Sequence, residues 1–260
     1  MGQGKVRVER DGPIGRLVLD NPDRRNALSA DMWRAIPIAM RDFDADPDIR
    51  CVVVRGAGTV AFAAGADISE FEKQRSGPEL VHAYEQLLED AHASLEGSRK
   101  PVIALIHGFC IGGGLATALS CDLRYASDTA QFAVPAARLG LGYGVRGHAR
   151  IVATVGHAAA REIMFTARRY SASEALAIGL VNRVVPEAEL DTYVNAMATT
   201  IASNAPLTQA ASKTIIDTII APHGDFSAGK AAIARCMDSE DYKEGRQAFL
   251  EKRPPKFRGV

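Results

Sequence analysis

The segment from Ile106 to Asp122, IHGFCIGGGLATALSCD, sets three consecutive glycines between an apolar strand and an apolar helix. With no β-carbons in the way, a ligand can come close to that backbone. The first N–H groups of the helix have no intrahelical partner, and they favour a negative charge or a carbonyl oxygen becoming negative. Two readings are open on this segment alone: an oxyanion or phosphate site, or a tight strand-to-helix packing turn.

The same strand-helix alternation runs through the first half of the chain. Val6 to Glu9 and Ile14 to Asp20 read as a β-hairpin around Asp11-Gly12-Pro13, ended by Asp20-Asn21-Pro22. Ser29 is placed to cap a helix over Ala30 to Phe43, which Pro37 should kink or restart. Cys51 to Arg55 reads as a short buried strand, Gly56 to Asp67 as a glycine- and alanine-rich loop, and Leu80 to Leu95 as a helix. Val102 to Ile106 and Leu123 to Ala126 read as strands on either side of the glycine helix. β-Branched strands alternating with helices predict α/β layering.

Beyond Gly147 helical patterns dominate, over His148 to Val155, Ala158 to Phe165, Ser173 to Gly179, Ala188 to Ser203, Pro206 to Ile220 and Phe226 to Leu250. One strand is expected over Val181 to Val185, and Ser171 with Glu174 has capping-box spacing. The basic, proline-rich tail EKRPPKFRGV should be extended, a frayed terminus being the ordinary alternative.

Lysine plus arginine and aspartate plus glutamate both total 31, so no net field draws the chain to nucleic acid or to an anionic membrane. Any anion binding must be local. The four cysteines, Cys51, Cys110, Cys121 and Cys236, form no C-x-x-C pair, which suits free thiols in a reducing compartment. The opening MGQGKVRVERDG has no apolar core of signal-peptide length and no run reaches membrane-spanning length, so a cytoplasmic location is expected. Six scattered histidines do not suggest metal ligands, and no metal is expected. The serine-hydrolase elbow, the zinc helix, the phosphate-binding loop and the dinucleotide turn are all missing.

What remains is a pair of glycine-rich turns, FAAGADI at Phe62 to Ile68 and IGGGLA at Ile111 to Ala116. Two backbone N–H donors aimed at one oxygen would make an oxyanion hole for an enolate or a tetrahedral intermediate. These segments resemble the crotonase superfamily, the enoyl-CoA hydratase and isomerase group. NPDRRNAL at Asn21 to Leu28, SCDLRYASDTAQFAVP at Ser120 to Pro135, YSASEALAIGLVNRVVP at Tyr170 to Pro186 and FLEKRPPKF at Phe249 to Phe257 extend the resemblance in the family's order over nearly all of the chain.

The resemblance implies an α/β fold, a crotonase-like stack of β-β-α turns over residues 1–195, with a C-terminal helical trimerisation region over 196–260. It implies a homotrimer or homohexamer acting in fatty acid or related acyl-CoA metabolism, with a CoA thioester as substrate or ligand and no permanently bound cofactor. The backbone N–H groups of Ala66 and Gly113, with Gly112 beside them, would hold the thioester oxygen. Main chain around Arg25, Ala27, Ala64, Asp67 and Ile68 would cradle the adenine and pantetheine, and Phe249 with Lys252 would help close the CoA site.

The chain departs from the hydratases where they carry two glutamates: those positions are Ala116 and Ala136. Hydration needs a base for the water and an acid for the α-carbon, each worth about 10²- to 10⁴-fold, and alanine supplies neither. Ordinary hydratase activity is therefore expected to be weak or absent. The loop Arg138 to Arg150 offers Tyr143, where a decarboxylase branch of the family also carries a tyrosine, Arg146 and His148. Tyr143 reads either as an acid or orienting group or as a cap on the pocket. Arg146 reads either as the partner of an acidic acyl group or as the start of a helix. Two functions stay open, an acyl-CoA enzyme with a non-standard acid or base and a non-catalytic acyl-CoA carrier or sensor.

Overall fold

The structure is a computed structural model that describes residues 4–67, 70, 78–220 and 227–260. Strands Lys5–Asp11 (β1) and Ile14–Asp20 (β2) pair antiparallel across the Asp11-Gly12-Pro13 turn, where Gly12 takes a φ of 55°. The helix Ala30–Ala45 (α1) follows, its Ser29 hydroxyl accepting the Met32 N–H. It runs through Pro37 without a break, contrary to the expected restart. An interior proline costs about 3 kcal/mol. Met32, Trp33, Ile36, Met40 and Phe43 are all buried, and about 1.5–3 kcal/mol for each large side chain outweighs that cost.

From Cys51 onward the chain repeats one unit, in which a strand enters a large sheet, a three-residue strand enters a small sheet, and a helix returns. Cys51–Gly56 (β3), Ala61–Ala63 (β4) and Pro78–Glu96 (α2) form the first unit. Val102–Ile106 (β5), Phe109–Ile111 (β6) and Gly113–Leu119 (α3) form the second, and Leu123–Ser127 (β7) with Gln131–Ala133 (β8) opens the third. Tyr170–Ser171 (β9) and Arg183–Val185 (β10) complete the sheets, whose orders are β1-β2-β3-β5-β7-β10 and β4-β6-β8-β9. Past the hairpin every neighbour in the large sheet is parallel, which is why β5 is buried along its whole length. Strands β4 and β6 lie in segments read from sequence as loop or turn. Three residues are too few to display an alternating pattern.

Val145–Thr166 (α4) is broken at Gly156, whose φ of 72° and ψ of 170° separate the two helices that the sequence predicts there. Ala172–Ala177 (α5) carries the Ser171–Glu174 capping box in full. Leu190–Ser203 (α6) lies on the large sheet, burying Leu190, Val194 and Ala198 in one core with Cys51, Val53, Ile103 and Leu105. Pro206–Ile220 (α7) is followed by two helices, Ser227–Asp238 (α8) and Glu240–Glu251 (α9), where one was expected over Phe226 to Leu250. Ser239 stops the first and caps the second, its hydroxyl accepting the Tyr242 N–H at 3.1 Å; Phe226 lies outside the described residues. The tail is extended and anchored, because the Asp241 carboxylate accepts the Arg258 and Gly259 N–H groups at 2.7 and 2.8 Å. Cys51, Cys110 and Cys121 are buried free thiols. Among the described residues no helix is long and apolar enough to cross a membrane.

Candidate active site

A cavity of about 380 Å³ opens beside the glycine helix, and its two walls are chemically unlike. One wall is backbone. Ala64, Gly65 and Ala66 from the end of β4 face Gly112, Gly113 and Ala116 from the start of α3, with Ala136 just after β8. Gly112 holds the turn with a φ of 54°, and its N–H donates to the Ala133 carbonyl at 2.8 Å. A β-carbon on Gly114 would sit 2.3 Å from the Ala63 carbonyl oxygen, so only glycine lets the two turns seat against each other.

The close approach brings the two proposed amides together. A β-carbon on Gly113 would lie 3.4 Å from the Ala66 nitrogen and 3.3 Å from the ring of the buried Trp33. Gly113 opens its helix, so its N–H has no partner inside it. At the other turn, the Gly65 carbonyl and the Asp67 N–H carry the links to Leu28, and the Ala66 N–H takes no part in them.

The other part of the lining is made of side chains. His82, Glu85, Glu89 and His92 project from α2, and Tyr143, Arg146 and Arg150 from the loop after β8 and the start of α4. The Glu89 carboxylate accepts from Arg146 at 2.8 Å and from both Nη atoms of Arg150 at 2.7 and 3.2 Å. Arg150 is bound on its far side by Glu96 and keeps 9% of its side chain exposed, against 69% for Arg146. Burial pulls the Glu89 carboxyl up, but the hydrogen bonds from Arg150 and Arg146 outweigh it and hold the group below the usual carboxylate range. Burial, reinforced by the Arg150 charge, pushes His92 down to about 3 and keeps its imidazole neutral. Burial also pushes the Tyr143 phenol up to about 12 despite the nearby Arg150 charge, so at neutral pH it is a hydrogen-bond donor and not a phenolate.

Of the residues singled out from sequence, Ala64, Ala66, Gly112, Gly113, Ala116, Ala136, Tyr143 and Arg146 share this cavity. Arg146 both begins a helix and has an acidic partner, but the partner is the chain's own Glu89. Arg25, Ala27 and Asp67 lie beside the first glycine turn, where Ala64 N–H donates to Arg25 O at 3.0 Å. Their N–H groups are taken, by Pro22 O, Arg24 O and Leu28 O, so a ligand would meet carbonyls and shape there. Asn26, between them, ties the turn to the Ala57 and Ala61 carbonyls at 3.0 and 2.7 Å. Ile68 lies outside the described residues.

Phe249 and Lys252 are not brought to the cavity by this chain. They end α9, and Phe249 lines a separate cavity of about 700 Å³ among α7, α8 and α9. The ion-paired Glu89, the buried His92 and Arg150 were missed from sequence. The available signal was the recurrence of His82, Glu85, Gln86, Glu89 and His92 at helical spacing. Among the described residues no cluster of potential metal ligands occurs.

Two apposed glycine turns on a β-β-α stack define a protein class, and comparison with known proteins agrees with it. The family model described as enoyl-CoA hydratase/isomerase matches residues 9–260. A short-chain-enoyl-CoA hydratase from Clostridium acetobutylicum is 35% identical over 97% of both chains. A peroxisomal Delta(3,5)-Delta(2,4)-dienoyl-CoA isomerase from Arabidopsis thaliana is 32% identical over 97% of this chain and 95% of its own. The crystal structure of an enoyl-CoA hydratase/carnithine racemase from Magnetospirillum magneticum superposes with a TM-score of 0.95 at 38% identity, covering 100% of this chain and 97% of that one. The chain belongs to the enoyl-CoA hydratase/isomerase family of the crotonase superfamily.

Proposed function

We propose that this protein binds a CoA thioester with its carbonyl oxygen between the backbone N–H groups of Ala66 and Gly113, and stabilises the enolate formed there. The observation that carries the reading is the contact between the two turns, which brings the space beside Gly113 within 3.4 Å of the Ala66 nitrogen. Two converging donors contribute about 10²- to 10³-fold without any acid or base. Ala116 and Ala136 line the same cavity, so the groups that would activate and protonate for hydration are absent from those positions. Crotonyl-CoA should bind, and its enoyl absorbance should persist far longer than a hydratase of this fold would allow. Rapid loss of that absorbance would refute the weak-hydratase reading, and failure of any CoA thioester to bind would refute the site itself.

The same alanines favour a second reading, an acyl-CoA carrier or sensor that retains the grip without the chemistry. Turnover abolished by Tyr143→Phe would favour a decarboxylase-type enzyme instead, with the neutral phenol as proton donor. Main chain around Arg25, Ala27, Ala64 and Asp67 is assigned to the CoA moiety, and Phe249 with Lys252 to its closure from a neighbouring subunit of a trimer or hexamer. Exposed Phe249, Leu250, Ile219 and Ile220 on α7 and α9 support self-association. No resident cofactor is needed for enolate chemistry of this kind, and the buried free thiols support a reducing, cytoplasmic setting.

A further inference from the structure

We infer that Glu89 is the acid–base residue of this site, a carboxylate supplied from helix α2 in place of the glutamates absent at 116 and 136. The inference rests on the thioester reading above. Glu89 lines the same cavity as the two glycine turns, so a thioester held at Ala66 and Gly113 would carry its α-carbon into the space that Glu89 borders. Its carboxylate accepts three N–H bonds from Arg146 and Arg150, and a carboxylate has about four lone-pair sites, so one is left for a substrate proton. The arginine fork fixes the orientation of the group, as a base acting on one carbon requires. Among the described residues no other carboxylate lining the cavity is so held, since Glu85 is exposed.

Among the described residues the titratable groups that line the cavity with Glu89 are Arg146 and Arg150 from α4, His82, Glu85 and the neutral His92 from α2 itself, and Tyr143 from the preceding loop. Arg150 is doubly engaged with Glu89 and Glu96, whereas Arg146 makes one bond from an exposed side chain. Arg146 therefore sets how basic Glu89 is at little structural cost. In the step assigned to it, the Glu89 carboxylate takes the α-proton, the C–H electron pair becomes the enolate double bond, and the carbonyl pair moves to oxygen. Return of a proton from the carboxylic acid restores the thioester, and no oxidant or co-reactant is consumed.

Butyryl-CoA in D₂O reads this step directly, because each abstraction and return exchanges an α-hydrogen for deuterium and raises the ligand mass. Wild-type protein should exchange the α-hydrogens, and Glu89→Gln should lower the rate about 10²- to 10⁴-fold while still binding butyryl-CoA. Arg146→Gln, which removes the dispensable ion pair, should raise the rate at saturating ligand and move the acid limb of its pH profile upward. Glu89→Asp covers the event that Glu89→Gln does not fold, since it keeps the charge and withdraws the carboxylate by one methylene, and it should slow exchange at least tenfold. Exchange at the wild-type rate in the Glu89 variants, or a limb unmoved in Arg146→Gln, would leave Glu89 as an ion-pair partner only and overturn the inference. Binding without exchange by the wild type overturns it too, and leaves the thioester site standing. No binding at all overturns the site.

Discussion

The two walls of the cavity differ in what holds them and in what they can do. The glycine wall has no titratable side chain, and steric necessity fixes it: Gly112 needs its positive φ, and Gly114 cannot carry a β-carbon beneath Ala63. The helical wall is a set of charges whose positions depend on one another, with Glu89 and Glu96 dividing Arg150 between them. A rigid backbone grip can serve many reactions on one functional group. The choice among those reactions falls to the adaptable wall, consistent with a family that includes both a hydratase and a dienoyl-CoA isomerase.

If the grip is general and the alanines are what silences hydration, installing Ala116→Glu and Ala136→Glu together should raise crotonyl-CoA hydration by about 10²- to 10⁴-fold for each group that becomes productive. A folded double variant with no gain would mean that the cavity wall near α3 does not face the acyl carbons. A smaller effect is expected from the grip itself. Gly113→Ala places a methyl group 3.4 Å from the Ala66 nitrogen, in the position proposed for the thioester oxygen, and should weaken thioester binding about 100-fold with little change in thermal stability. Unchanged affinity in calorimetry would remove the backbone wall from the mechanism.

The helical wall should also reveal itself through pH. His92 is held down to about 3 from its ordinary 6.5, so its contribution to stability is complete above pH 6.5 and is lost as pH falls from there toward 3. Glu89 behaves likewise in sign but only below its ordinary 4.5. The melting temperature should therefore begin to fall near pH 6, and His92→Gln should flatten that first part of the decline. An identical profile in the variant would show that another group drives it. The smallest effect lies outside both walls: Ser29→Ala, which removes the cap of α1, should cost about 1 kcal/mol in denaturant unfolding.

The apposition of the two glycine turns was legible in the sequence because steric constraints leave residue-level marks. Consecutive glycines, the NPDRRNAL turn and the order of the segments carried the fold and the expectation that Ala66 and Gly113 share one cavity. The charged wall was not legible as a unit, since Glu89 and Arg146 are 57 residues apart and meet only when α4 folds back onto α2. The missed strands β4 and β6 failed for want of length, and the break between α8 and α9 because Ser239 sits inside an otherwise continuous helical pattern. Pro37 misled in the other direction, its local penalty being smaller than the packing of the helix that contains it.

Gly156 gives this division a mechanical side. It separates the first three turns of α4, which bear Arg146 and Arg150, from the remainder of the segment through a single residue of positive φ, so those turns are held by the buried Ile151 and by the Arg150 ion pairs to α2. A substitution at that joint would re-aim Arg146 and Arg150 and so change the width of the cavity they line, while the turns at Gly112 and Gly114 keep their seating.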